Sequence, residues 1–415
     1  MKFALKAIPA AAFLAVSLSA QALTPGSGTW VKETATYGSP NLQDAYVYVP
    51  KNTAPAVLNG KRALMLTLHG CAQTASGNVI NSKFNWETSA EQYGMVVVAP
   101  TVPAGTSSTR TVSGCWDWFG SNHVRTNRDM VPLKALLDSV KSRANLDIDP
   151  NQIYVTGLSS GGGETMIAGC MLPDYFAGVG VNAGPALGSA SGDISMDPTV
   201  TASQVASYCK AANGNNYNSY FGTQIWNTVY GTSDYLVKPS HNVRNGEGMR
   251  QVYGTTSTAS SFTVSGGGSG TLYKDGNGKE RVTLIAVSGM SHAWPAGSGG
   301  SGGGTYVDYT HINYPVWVSN WFFTNNLRVA GGGTTTTTAG GTTTTTGSTT
   351  TTTAPSGACF NTSNYNHVQA GRAHDSLGTA YANGSNANMG LDNTFYTTKL
   401  RQTGTNYYII DSTCP

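Results

Sequence analysis

Short runs of apolar residues, each closed by glycine or a polar loop, recur along the first three quarters of the chain. Arg62–Gly70 (RALMLTLHG), Met95–Pro100 (MVVVAP) and Gln152–Gly157 (QIYVTG) are nearly continuous apolar segments of strand length. A strand with one wet face alternates, whereas one apolar throughout is covered on both faces. Between the second and third, Asp129–Val140 (DMVPLKALLDSV) spaces its apolar residues at three and four, which predicts a crossover helix. Phe176–Gly184, Gln224–Gly231 and Arg281–Gly289 repeat the strand pattern. Buried strands separated by helices predict an α/β fold with a mostly parallel sheet covered by helices, and such sheets bind ligands beyond the C-terminal ends of their strands.

The pattern stops at residue 331. Residues 331–357 (GGGTTTTTAGGTTTTTGSTTTTTAPSG) have no hydrophobic period and almost no side chain able to build a core, so they read as a linker. Fully extended, they could span roughly 90 Å. At the other end, Lys2 and Lys6 precede an apolar run and Ala20-Gln21-Ala22, the layout of a signal peptide over residues 1–22. The expected organisation is a signal peptide at 1–22, a catalytic-size domain at 23–330, the linker, and a small module at 358–415. The protein is therefore expected to be secreted.

Composition narrows the partners. Formal charge is +3, and removing Lys2 and Lys6 leaves 22 basic against 21 acidic residues, so neither nucleic acid nor an anionic membrane is an expected partner. Six cysteines in an exported chain point to disulfides rather than metal ligands, and no metal or cofactor is expected. Pairing within domains joins Cys359 to Cys414; Cys71, Cys115, Cys170 and Cys209 admit three connectivities, of which we prefer Cys71–Cys115 and Cys170–Cys209.

The chemistry centres on Gln152–Met166, QIYVTGLSSGGGETM. Gly157-Leu158-Ser159-Ser160-Gly161 matches G-x-S-x-G, a weak signal in a chain with 51 glycines, and Gly299-Gly300-Ser301-Gly302-Gly303 matches it equally well. A nucleophile elbow needs a strand before the serine and a helix after it. Ser159 has both; Ser301 has neither. A phosphate-binding turn would need a lysine after the glycines, and the next lysine is Lys210; the dinucleotide fingerprint fails because Ser159 occupies its second glycine.

A serine nucleophile needs a base and the base a carboxylate, in the chain order Ser, Asp or Glu, His. His292 follows the strand at 281–289 directly, whereas His241 and His311 read as surface or capping residues. Asp234 lies just past the strand ending at Gly231; Asp193, Asp197 and Asp275 lack that placement. Backbone N–H groups must hold the oxyanion: that of Ser160, after the nucleophile, and that of Cys71, in the loop after the first strand. His69 is expected to shape that loop.

With LHGCAQT, GLSSGGG, YGTSDYLV and SHAWPAG in this order, the chain resembles the secreted polyhydroxybutyrate depolymerases, of the type whose oxyanion segment precedes the nucleophile box. The resemblance extends to the threonine-rich linker and to a tail similar to their C-terminal substrate-binding module. It implies an α/β-hydrolase fold and hydrolysis of a solid short-chain polyester to oligomers and monomers. Carried over by motif, Ser159, Asp234 and His292 form the triad, Cys71 and Ser160 are the oxyanion donors, and Trp294 lines the acyl subsite. The expected partner is the insoluble polyester, met by a monomer. In the tail, Phe360, Tyr365, Tyr381, Phe395, Tyr396, Tyr407 and Tyr408 could face the polymer, although for any one of them the core of a small domain is the better expectation. The competing expectation is an esterase of the same fold that removes feruloyl or acetyl groups from plant polysaccharide, with a carbohydrate-binding tail.

Overall fold

A computed structural model describes residues 23–55, 60–104, 114–255, 257–302, 304–329, 358–376, 379–385, 387–391, 397–404 and 407–414. The signal peptide and linker expected from sequence lie outside them, as do Phe395 and Tyr396. The chain divides into two compact units, Met1–Thr336 and Thr337–Pro415.

In the first unit, ten strands among the described residues form one sheet: β1 (Trp30–Lys32), β2 (Leu42–Tyr48), β3 (Arg62–Leu68), β4 (Val96–Pro103), β5 (Ile148–Leu158), β6 (Gly178–Asn182), β7 (Ile225–Gly231), β8 (Ser260–Val264), β9 (Gly268–Lys274) and β10 (Glu280–Val287). Their order is β1-β2-β4-β3-β5-β6-β7-β10-β9-β8. The middle of the sheet, β4 to β10, is parallel throughout. Antiparallel strands flank it on both sides. These edges carry no continuous apolar run, and the hydrophobic pattern of the sequence did not announce them.

Every residue of β3 and β4 is buried. Successive side chains of a strand point to opposite faces, and here each face has its own core. Leu64, Leu66 and Leu68 join Val96, Val98, Ile153 and Val155 under helices α2 (Met130–Lys141), α3 (Ser160–Met171) and α4 (Ala202–Ala212). Ala63, Met65, Val97 and Tyr154 join the other core, under α1 (Trp86–Tyr93) and α6 (Tyr314–Asn325). Helix α2 contributes Leu133, Leu136, Leu137 and Val140, the spacing read from sequence, and tolerates Pro132 because first-turn N–H groups lack helical partners anyway. With Leu136 fully buried, a Leu136→Ala change would cost about 2–5 kcal/mol. Helix α5 (Pro239–Tyr253) starts on proline and packs on the side of the sheet that carries α4.

The second unit is described by itself. Strands β13 (Cys359–Ser363), β17 (Thr397–Gly404) and β18 (Tyr407–Ile410) form one small sheet, and β14 (Ala373–Ser376), β15 (Thr379–Ala382) and β16 (Asn388–Leu391) another, with α7 (Asn364–Gln369) between β13 and β14. The two-residue strands β11 (Trp294–Pro295) and β12 (Val307–Asp308) belong to the first unit. The second unit's core comprises Ala373, Ala380, Ala382, Met389, Leu400 and Tyr408, and a Cys359–Cys414 disulfide joins positions 55 residues apart. So small a core gains from a closed loop of that length, which restricts the unfolded chain. Tyr408 is a core residue, while Tyr365 and Tyr407 are exposed.

Candidate active site

Strand β5 ends at Leu158 and helix α3 begins at Ser160, so Ser159 is the whole connection. Its backbone stands at φ 58°, ψ −118°, a conformation that costs a non-glycine residue about 1–3 kcal/mol and persists only where its surroundings hold it. The Ser159 N–H donates to Asn182 O at 2.9 Å and its carbonyl accepts from Gly163 N at 2.9 Å, so the neighbouring β6 and the helix both grip it. The strain falls on the serine and not on the glycines around it, which serve close approach. A Cβ on Gly157 would stand 2.4 Å from Gly161 O, and one on Gly161 would stand 2.4 Å from His69 O. Helix α3 can therefore start hard against its own strand and against the end of β3.

That approach brings the loop after β3 to the serine: a Cβ on Gly70 would lie 3.3 Å from Ser159 Cβ. The loop is clamped on several sides. His69, fully buried, donates from Nδ1 to Gly70 O at 2.7 Å and accepts at Nε2 from Val102 N at 3.1 Å, which fixes its tautomer and commits both nitrogens to holding the loop. Trp116 Nε1 donates to His69 O at 2.9 Å, and the Cys71–Cys115 disulfide fastens the loop to the residue before Trp116. The Trp116 N–H also points to Ser160 Oγ at 3.4 Å. A second disulfide, Cys170–Cys209, joins α3 to α4.

Two further strand ends carry Asp234 and His292. Strands β7 and β10 are paired neighbours, so their loops emerge side by side. A Cβ on Gly231 would stand 2.0 Å from Met290 O, and the loops exchange bonds from Thr232 N to Val287 O and from Ser233 N to Met290 O, each 3.0 Å. This cross-bonding sets His292 Nδ1 to donate to Asp234 Oδ2 at 2.8 Å. The Asp234 side chain has no exposed surface, and its Oδ1 accepts from Leu236 N at 2.9 Å and Val237 N at 3.0 Å. The aspartate is thus both a turn residue bonded to its own backbone and the partner of the histidine. A carboxylate on Nδ1 leaves the proton there and Nε2 free to act as a base.

The structure corrects two expectations. Trp294 stands two residues from His292 but has no accessible surface: it stacks on Phe84 at 4.6 Å between ring centroids and donates from Nε1 to Phe84 O at 3.0 Å. A fully buried ring cannot line an acyl subsite, so Trp294 is a core residue that anchors the His292 loop. His241 is not a surface residue; it is fully buried, accepts at Nδ1 from Ala186 N at 3.0 Å, and faces Met196 O from Nε2 at 3.0 Å. Burial holds its pKa below the ordinary histidine value. His311 pairs with Asp308 at 2.8 Å, three residues away on one turn, a local brace rather than a junction of two strand ends. Ser301 lies in an irregular stretch, its hydroxyl donating to Asn81 O at 3.1 Å.

Sequence reasoning did not single out Gln73 or Tyr306. Gln73, 2% exposed, accepts at Oε1 from Gly70 N at 2.7 Å and donates from Nε2 to Thr305 O at 2.5 Å. Tyr306, the next residue, sets its ring edge-on to His292 at 5.6 Å between centroids. The available signal was adjacency, since Gln73 lies inside the segment LHGCAQT, two residues after Cys71.

A six-stranded parallel centre, a strained serine at the tip of a middle strand and a histidine–aspartate pair on two neighbouring strand ends place the protein among the esterases of the α/β-hydrolase class. The fold is similar to that of an acetyl xylan esterase from Aspergillus awamori, with a TM-score of 0.50 at 18% identity over 64% of this chain and 94% of that one. The model of the family described as Esterase PHB depolymerase matches residues 45–244. Poly(3-hydroxybutyrate) depolymerase of Ralstonia pickettii is 40% identical over 471 aligned positions spanning 95% of each chain. Poly(3-hydroxyalkanoate) depolymerase C of Paucimonas lemoignei is 32% identical over 59% of this chain and 58% of its own. The chain belongs to the polyhydroxybutyrate depolymerase family.

Proposed function

We propose that the protein is a secreted serine esterase that hydrolyses the ester bonds of poly(3-hydroxybutyrate), or a similar short-chain polyhydroxyalkanoate, to oligomers and monomers. The observation that carries the reading is the 2.8 Å bond between His292 and Asp234, built at two neighbouring strand ends of a sheet whose middle strand presents Ser159 in a strained turn.

In this mechanism Ser159 Oγ attacks the ester carbonyl carbon while His292 Nε2 takes the hydroxyl proton, and Asp234 stabilises the resulting imidazolium. The N–H groups of Cys71 and Ser160 hold the oxyanion of the tetrahedral intermediate. Collapse expels the alkoxide of the shortened polymer, which takes the proton from His292 and leaves an acyl group on Ser159. Water, deprotonated by the same nitrogen, attacks this acyl-enzyme; the second tetrahedral intermediate releases the 3-hydroxyacid and restores the serine. The nearly uncharged mature chain suits an uncharged substrate surface, and a tethered second unit that binds polymer would raise the catalytic unit's effective concentration there. The enzyme acts as a monomer.

Clearing of a poly(3-hydroxybutyrate) suspension tests the reading. We expect clearing by the full chain and none by Ser159→Ala, with polymer binding retained. Failure to clear, together with rapid release of acetate or ferulate from plant polysaccharide, would replace polyester by polysaccharide as the substrate.

A further inference from the structure

Two segments that reach the site belong to distant parts of the chain. One is the loop after β3, which carries Gly70 against Ser159, with Cys71 the next residue along it. The other is the strap made by residues 296–302 and 304–309, which carries Tyr306 against His292. The strap is pinned to the segment before α1, where Ser301 N donates to Ser82 O at 2.8 Å and Asn85 Nδ2 to Ala296 O at 2.8 Å. Beside His292, Trp294 N donates to Tyr306 O at 2.8 Å. A buried side chain, Gln73, spans from the strap to the loop, accepting from one and donating to the other. The amide can take only this orientation, because the Gly70 N–H requires an oxygen and the Thr305 carbonyl requires a nitrogen.

We propose that Gln73 is a positioning residue that sets the oxyanion loop against the segment flanking His292, so that the N–H of Cys71 and the base keep one fixed separation across the reacting carbon. The proposal rests on the roles given above to Ser159, His292 and Cys71. Such a part is required because an oxyanion donor works only where the charge develops, and small displacements are costly. The Cys71–Cys115 disulfide cannot supply this alignment, since it ties the loop to the Trp116 segment and not to the histidine side. Both polar ends of Gln73 meet backbone groups, so the coupling is independent of the side chains of the residues it joins.

The test uses the full chain and a soluble p-nitrophenyl ester. Gln73→Leu removes both bonds and should lower kcat by about 10–100-fold with KM little changed. Its affinity for an alkylboronic acid, which mimics the tetrahedral state, should fall by the same factor. Gln73→Glu keeps an acceptor for Gly70 N–H but, when ionised, sets a second acceptor against Thr305 O. Its carboxyl can donate only when protonated, so kcat relative to the unsubstituted enzyme at the same pH should rise as pH falls. A ratio flat across pH, or unchanged boronate affinity in Gln73→Leu, would overturn the proposal. Ser159→Ala run in parallel separates the two claims: residual activity there sinks the triad reading and the proposal with it, whereas inactivity there with full activity in Gln73→Leu sinks the proposal alone.

Discussion

His292 donates from Nδ1 to Oδ2 of Asp234 at 2.8 Å, and the other oxygen of that carboxylate is held by the N–H groups of Leu236 and Val237. The two oxygens of Asp234 are therefore not equivalent.

In Asp234→Asn the backbone donors of Leu236 and Val237 select the amide oxygen, which turns the amide nitrogen toward His292. That nitrogen donates to Nδ1, so the imidazole proton moves to Nε2, where the base should be vacant. We expect kcat on a soluble ester to fall by about 10³–10⁴-fold with little change in the thermal midpoint. A loss under tenfold would show that the pair is structural.

Gly161→Ala probes the approach of α3 to the oxyanion loop. The new methyl would stand 2.4 Å from His69 O and 2.6 Å from Leu68 O, both backbone atoms that cannot swing away. Either the helix start or the loop must shift, at a cost of about 1–3 kcal/mol, and Ser159 and the Cys71 N–H lose their alignment. Thermal unfolding should move down by several degrees and kcat should drop more than tenfold; unchanged values for both would mean that the contact is slack.

The strand-end placement of the candidate site residues was legible because the strands they follow are apolar enough to recognise. Ser159 stood out from Ser301 by the strand before it, and Asp234 and His292 by the strands they follow. Trp294 was misplaced because nearness in sequence to His292 says nothing of direction: the chain turns into β11 there and sends the indole into the core between Phe84 and Tyr314. His241 was misplaced for another reason. Helix α5 buries Asn242 and Asn245 through hydrogen bonds to Gly184 N and Leu187 N, so its inner face is polar and hides from any search for an apolar stripe. The edge strands escaped because β8 is mostly exposed. The bridging role of Gln73 could not be read, since its partner Thr305 is 232 residues away.

The chain divides into two compact units at residue 336, within its threonine-rich stretch. Deleting residues 331–415 should leave kcat and KM on a soluble ester within about twofold, because none of the proposed catalytic groups lies there, and should slow attack on solid polymer by tenfold or more through lost local concentration. Equal loss on both substrates would make the tail a structural part of the first unit.

Acid should weaken the fold through His123. Burial first, and then the guanidinium of Arg128, lower its pKa from the ordinary 6.5 to about 4, while Nε2 donates to Gly120 O at 3.1 Å. The unfolded chain takes up this proton as pH falls through 6.5 and the folded chain resists until about 4. Between those values the unfolded state binds more protons, so stability drops as pH drops, by at most about 3 kcal/mol from this group. His123→Gln offers Gly120 O an amide donor that does not titrate. Its thermal midpoint should therefore decline less steeply between pH 7 and pH 4.5 than that of the unsubstituted chain, whereas parallel declines would assign the acid sensitivity to other groups.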